Sequence, residues 1–162
     1  MRLNGKMALI TGGNSGIGLE TARILIREGA RVAITGRDQA KLDGAVDELG
    51  SDAVGIQADV GSAADMDSVA AAIAQRFGHL DILFANAGTG GPTPVGTTEP
   101  ATFESIIRTN LTGVFFTVQS LAPLLAVGAS VILNSSVHAV LGPRTTLPMQ
   151  QARRACDPWG AC

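Results

Sequence analysis

Glycines at Gly12, Gly16 and Gly18 follow the short apolar run Met7–Thr11, and Leu19–Glu28 then takes up helical spacing through Leu19, Ala22, Ile24, Leu25 and Ile26. The run is long enough for a buried strand and too short for a helix. A strand, a glycine turn and a helix start can together hold a phosphate. Residues without side chains let a pyrophosphate reach the backbone, and a helix N-terminus offers free N–H groups and the positive end of its dipole. The spacing Gly-x-x-x-Gly-x-Gly differs from the commonest dinucleotide fingerprint and lacks the Gly-Lys-Ser/Thr of a P-loop. Taken alone, it also suits an ordinary tight turn.

The elements around this loop repeat one pattern. Arg31–Thr35 reads as a second strand, and Asp38 caps a helix that reaches Leu49. Ala53–Ala58 is a third strand closed by Asp59-Val60. Ser62 and Asp65 form a capping box for a helix to Phe77, and His79 is placed to interact with that helix's C-terminal dipole. Leu80–Ala87 is apolar on both faces, as a central parallel strand should be, and runs into Asn86-Ala87-Gly88. Thr98-Glu99-Pro100 starts a helix expected over Ala101–Leu125, with Asn110 inside it. Ser130–Asn134 is the fifth strand, followed by Ser135-Ser136-Val137-His138. Successive strand–helix units predict right-handed crossovers and a three-layer, doubly wound parallel α/β sheet of Rossmann-like type.

In such a fold an acid at the end of the second strand binds the adenosine ribose and repels a 2′-phosphate. Gly36 takes that place here, followed by Arg37, whose charged fork can grip a phosphate. This favours NADP(H) over NAD(H). A solvent-facing loop arginine is the plainer alternative.

The 162 residues suit one domain; 46% are apolar, 16% are charged and the net charge is −2. With no basic run, nucleic acid and membrane are not expected partners. No segment has the ~18 consecutive apolar residues of a membrane span, and Met-Arg-Leu-Asn-Gly-Lys does not open a secretion signal. A cytoplasmic location is expected, with Cys156 and Cys162 as unpaired thiols, and no metal site is predicted.

The motif Thr11-Gly12-x-x-x-Gly16-x-Gly18 near the N-terminus resembles the cofactor loop of the short-chain dehydrogenases/reductases. Asp59-Val60, Asn86-Ala87-Gly88, Asn110 and Ser136 match further elements of that family in order, over about residues 6–146. The resemblance implies an oxidoreductase that transfers hydride between a nicotinamide cofactor and a small-molecule carbonyl or secondary alcohol. It implies that Gly12, Asn14, Ser15, Gly16, Ile17 and Gly18 hold the pyrophosphate, that Arg37 reads the 2′-phosphate, and that Asp59 and Val60 hold adenine. Asn86, Ala87 and Gly88 would border the ribose. Ser136 would orient substrate, and Asn110 would open its helix and hold a relay water. On this reading His138 lines the pocket or faces solvent. The family's dimer interface, which uses the helix matching Ala101–Leu125, is compatible with a homo-oligomer.

The resemblance stops at the next element. The family places Tyr, then Lys four residues later, where this chain has Met149 and Arg153, and the sequence contains no tyrosine. The phenol is the family's general acid/base, with an unperturbed pKa near 10 lowered by the neighbouring ammonium. Residues 1–146 are thus expected to form the dinucleotide-binding domain, and 147–162 a non-matching tail broken by Pro148, Pro158 and Gly160. A frameshift after about residue 146 accounts for the tail: the AUG codon of Met149, read one base out of frame, permits Tyr, and an AGG codon for Arg153 permits Lys. A native isoform is the rival, and resequencing the DNA around the Thr146 codon separates the two. The chain as written is expected to lack the C-terminal part of the family fold and its turnover. The alternative function is a non-catalytic nucleotide-binding or partner-binding fragment.

Overall fold

The structure, a computed structural model, describes residues 1–94 and 96–136. Its elements are β1 (Met7–Thr11), α1 (Gly16–Arg27), β2 (Arg31–Gly36), α2 (Gln39–Leu49), β3 (Ala53–Gln57), α3 (Ala63–Phe77) and β4 (Leu80–Ala85). After these come α4 (Pro100–Ile107), a π-helical turn (Arg108–Thr112), α5 (Gly113–Leu121), a 3₁₀ turn (Ala122–Leu124) and β5 (Leu125–Leu133). All strand pairs are parallel, in the order β3-β2-β1-β4-β5. This is the doubly wound α/β sheet that the strand–helix alternation predicts.

Alternation along β1 explains the three layers. Met7 and Leu9 face one core with Met66, Val69 and Ile73 of α3 and Leu121 of α5. Ala8 and Ile10 face the other with Ala22 of α1 and Leu42 and Ala45 of α2. Leu9 and Ile10 are fully buried, and each such side chain contributes about 2 kcal/mol by leaving water. None of the described helices is long and apolar enough to cross a membrane.

Two expectations are corrected. The helix expected over Ala101–Leu125 is α4, the π turn and α5 in succession, and Leu125 already belongs to β5. Pro123 lies in the 3₁₀ turn, where its fixed φ and missing N–H end the α-helical ladder. The fifth strand begins at Leu125, not Ser130: Leu80 pairs with Leu125 and Ile82 with Ser130, so residues 126–129 bulge opposite Asp81. The regularly paired part does start at Ser130. On β5, the last strand of the described sheet on this side, Val131 and Ile132 are exposed. His79, directly after the C-cap of α3, also has its Nε2 3.3 Å from Asp81 Oδ2.

The Ser62 cap is present. Ser62 Oγ accepts from Asp65 N at 3.2 Å and donates to Asp65 Oδ1 at 2.8 Å. The other arm of the box is redirected, because Asp65 Oδ2 accepts from the backbone N–H of Asp59 at 2.9 Å. That tie brings the start of α3 against the end of β3.

Candidate nucleotide-binding cleft

The strand order reverses between β1 and β4: β2 and β3 lie to one side of β1, and β4 and β5 to the other. Loops leaving the carboxyl ends of β1 and β4 therefore diverge and leave a crevice, the usual ligand position in open α/β sheets. A cleft of about 580 Å³ occupies it. Gly12, Asn14, Ser15, Gly16 and Ile17 form its floor at α1, and Gly36 and Arg37 line it from β2. Asp59 and Val60 line it beyond β3, and Asn86, Ala87 and Gly88 beyond β4.

Gly18 is the one residue of the expected cofactor set outside this lining. It lies beneath the loop, where an added Cβ would meet the Gly12 carbonyl oxygen and sit 2.7 Å from Asn86 Nδ2. Its missing side chain lets α1 close onto the ends of β1 and β4. Ser15 is the N-cap of α1, yet its side chain makes no capping hydrogen bond. The positive end of the helix thus meets the cleft without a capping side chain.

The floor is tied together by polar groups. Thr11 Oγ1 accepts from both Asn86 N and Ala87 N at 3.0 Å. Asn86 Nδ2 donates to the carbonyls of Thr11 at 3.0 Å and Gly12 at 3.2 Å, and Asn86 Oδ1 accepts from Asn134 Nδ2 at 2.9 Å. Asn134 N donates to Ala85 O at 3.0 Å, which continues the ladder past β4. Asn134 also lines the cleft and bears the same sequence signal as Asn86: a polar residue directly ending an apolar strand.

At the β2 end, Arg37 makes no side-chain ion pair or hydrogen bond among the described residues, while its carbonyl accepts from Gln57 Nε2 at 2.9 Å. The Asn14 side chain lies across Gly36, where a Cβ would stand 2.9 Å from Asn14 Cγ. An acidic side chain at 36 would displace Asn14.

Both carboxylate oxygens of Asp59 have a donor. Its Oδ1 accepts from Gly61 N at 2.9 Å, and its Oδ2 lies 3.2 Å from Arg108 Nη2. Asp65, behind it, is held below the usual carboxylate range, first by the N–H of Asp59, then by the Ser62 hydroxyl and the nearby Arg108 charge. Val60 is 6% exposed and packs into the α3 and α5 core.

Asn110 and Ser136 are off the main cleft. Asn110 sits in the π turn, which widens the helix at the position where the family resemblance implies an opening. Its Oδ1 accepts from Thr89 N and its Nδ2 donates to Thr89 O, both at 2.8 Å. A small adjoining cavity of about 30 Å³ is lined by Asn110, Val114, Ser135, Asn134 and Asn86–Gly88. Ser135 Oγ is buried there without a hydrogen-bond partner among the described residues, and Ser136 follows it past β5. Met149, Arg153 and the rest of 147–162 lie outside the described residues, as does His138. No cluster of metal-ligating side chains occurs among the described residues.

Comparison with known proteins agrees with this geometry. The short chain dehydrogenase family model matches residues 6–148. An oxidoreductase, asL5, of Sarocladium schorii is 43% identical over 143 residues, covering 87% of this chain and 57% of that protein. A 3-beta-hydroxysteroid dehydrogenase of Comamonas testosteroni is 38% identical over 141 residues, covering 86% and 56%. A crystal structure of a short-chain dehydrogenase/reductase from Brucella melitensis, titled as a glucose/ribitol dehydrogenase, superposes with a TM-score of 0.94 at 28% identity. It covers 98% of this chain and 68% of its own. The chain thus spans little more than half the length of the curated relatives it matches. By sequence, by strand order and by the construction of its glycine-floored cleft, it belongs to the short-chain dehydrogenase family.

Proposed function

We propose that this chain is the cofactor-binding part of an NADP(H)-dependent oxidoreductase acting on a small-molecule carbonyl or secondary alcohol. The observation that carries the reading is the β2 end of the cleft, where Gly36 offers no acid, Asn14 occupies the space an acid would need, and the Arg37 side chain has no partner among the described residues. A cationic fork without a neighbouring carboxylate at 36 suits a 2′-phosphate. Gly12, Asn14, Ser15, Gly16 and Ile17 would hold the pyrophosphate at the start of α1, with Gly18 allowing the approach. Asp59 and Val60 would border adenine, and Asn86–Gly88 the ribose. The bound dinucleotide supplies the hydride; the protein orients it and excludes water. Asn110 would support a proton relay, and Ser136 would hydrogen-bond the substrate oxygen.

One observation favours a second reading for the chain as written. The sequence contains no tyrosine, so the phenol that serves the family as general acid is missing, and the chain binds cofactor without turnover. We read residues 1–146 as the binding domain of a cytoplasmic protein that recognises neither nucleic acid nor membrane. Phe103 and Phe115, exposed on α4 and α5, suit pairing with a second copy. Calorimetric titration of the purified chain with NADPH and NADH tests the proposal. Tighter binding of NADPH, with no oxidation of it by a panel of ketones and aldehydes, supports both readings. Absence of binding to either dinucleotide overturns the cofactor assignment.

A further inference from the structure

We propose that Arg108 is a positioning residue for the adenine end of the cleft, clamping the Asp59 carboxylate so that it distinguishes a 6-amino purine from a 6-oxo purine. The inference rests on the cofactor reading above and extends it to a residue outside the glycine loop and the strand ends.

The clamp has two arms. Arg108 Nη2 lies 3.2 Å from Asp59 Oδ2, and Arg108 Nε donates to Gly61 O at 3.2 Å. The stem of Arg108 runs over Gly61, where an added Cβ would stand 2.7 Å from both Cγ and Nε. Gly61 N in turn donates to Asp59 Oδ1 at 2.9 Å. Each carboxylate oxygen of Asp59 therefore has one donor, and the two together set how the group is turned relative to the cleft.

An ionised carboxylate is an acceptor only, with lone pairs to spare beyond these two bonds. Asp59 lines the cleft, so what it has to offer a ligand there is acceptance from an N–H. An exocyclic amino group satisfies it, whereas a carbonyl oxygen at the same position meets like charge. Without Arg108 the carboxylate would lose its larger anchor and could turn away from a 6-oxo group, relaxing the choice.

The placement of Arg108 has a structural cause. It opens the π turn that also holds Asn110 against Thr89. One widened turn thus fixes groups at two separated points of the cleft. π turns of this kind collect at functional sites because they redirect side chains without breaking the helix.

The test uses the full 162-residue chain with NADPH and its hypoxanthine counterpart as probes, and reads the ratio of the two dissociation constants. The wild type is expected to prefer NADPH by about tenfold, the size of one hydrogen bond to a charged group. Arg108→Met keeps the stem and removes the fork, and is expected to reduce that preference to about twofold. Gly61→Ala pushes on the stem without changing any charge and is expected to reduce it likewise. It decides the matter should Arg108→Met fail to fold. A loss of affinity that is equal for the two dinucleotides, leaving the ratio at its wild-type value, overturns the proposal. It would mean that Arg108 acts only by its overall charge. A wild-type chain that binds neither dinucleotide overturns the cofactor reading, and this inference with it.

Discussion

Thr11 and Asn86 lock the two strands on either side of the switch point. The Thr11 hydroxyl accepts from the N–H groups of Asn86 and Ala87, and the Asn86 amide donates back to the Thr11 carbonyl, all at 3.0 Å. The Thr11 side chain is 1% exposed, so water does not replace it. Thr11→Val keeps the shape and removes the acceptor, leaving two part-buried N–H groups unpaired. A loss of about 2 kcal/mol is expected in urea unfolding. NADPH binding should weaken with it, since the loops at Gly12 and Asn86 share that tie.

Arg37 and Gly36 divide the choice between dinucleotides. Arg37→Ala removes the charged fork and is expected to weaken NADPH binding about tenfold or more, with NADH unchanged within twofold. Gly36→Asp adds the acid that would repel a 2′-phosphate and also displaces Asn14. It should weaken NADPH further than Arg37→Ala does. Titrations of both variants with both dinucleotides give the four constants needed. Equal losses for NADPH and NADH would refute the assignment of Arg37 to the phosphate.

Much of this cleft is legible from local chemistry. Met7–Thr11 and the glycines after it declare a strand, a turn and a helix within twelve residues, and Asn86-Ala87-Gly88 ends an apolar run abruptly. The structure places α1 from Gly16, ahead of Leu19 where the helical spacing starts, because that spacing becomes visible only where side chains begin. The junction at Leu124-Leu125-Ala126-Val127 is not legible: a short apolar run has no period that separates helix from strand, and the pairing of Leu125 with Leu80 decides it. The same holds for Arg108 and Asp59, 49 positions apart. A surface arginine in a helical segment carries no mark of the carboxylate it will meet. Asn134 had a local mark, and Ser135 had none that separates it from Ser136.

Asn110 is predicted to hold the Thr89 loop and not merely to interrupt a helix. Asn110→Ala removes both hydrogen bonds to Thr89 and leaves a part-buried N–H and carbonyl without partners. About 2 kcal/mol of stability is expected to be lost. Faster amide exchange at Thr89 is the more specific sign, because a general loosening would raise exchange in the β1 and β4 cores as well. Unchanged exchange at Thr89 would show that the loop is held by other contacts.

Asp81 gives the fold an acid-sensitive tie at the opposite end of the sheet. Its carboxylate accepts from Lys6 Nζ at 2.8 Å and Met7 N at 2.9 Å, with His79 Nε2 at 3.3 Å, and its side chain is 11% exposed. Burial opposes the charge, but the hydrogen bonds from Lys6 and Met7 and the charges of Lys6 and His79 prevail and hold the carboxyl below its ordinary range. A carboxyl depressed in the folded state adds stability that is complete above its unfolded pKa, near 4, and is lost as the pH falls through the lower folded value. Asp81→Asn is therefore expected to cost about 2 kcal/mol at pH 7. The gap between variant and wild type should persist down to about pH 5 and close progressively below about pH 4. Urea unfolding of both proteins across that range measures it. A gap that stayed constant to pH 3 would mean that the tie acts through shape alone and not through the charge of Asp81.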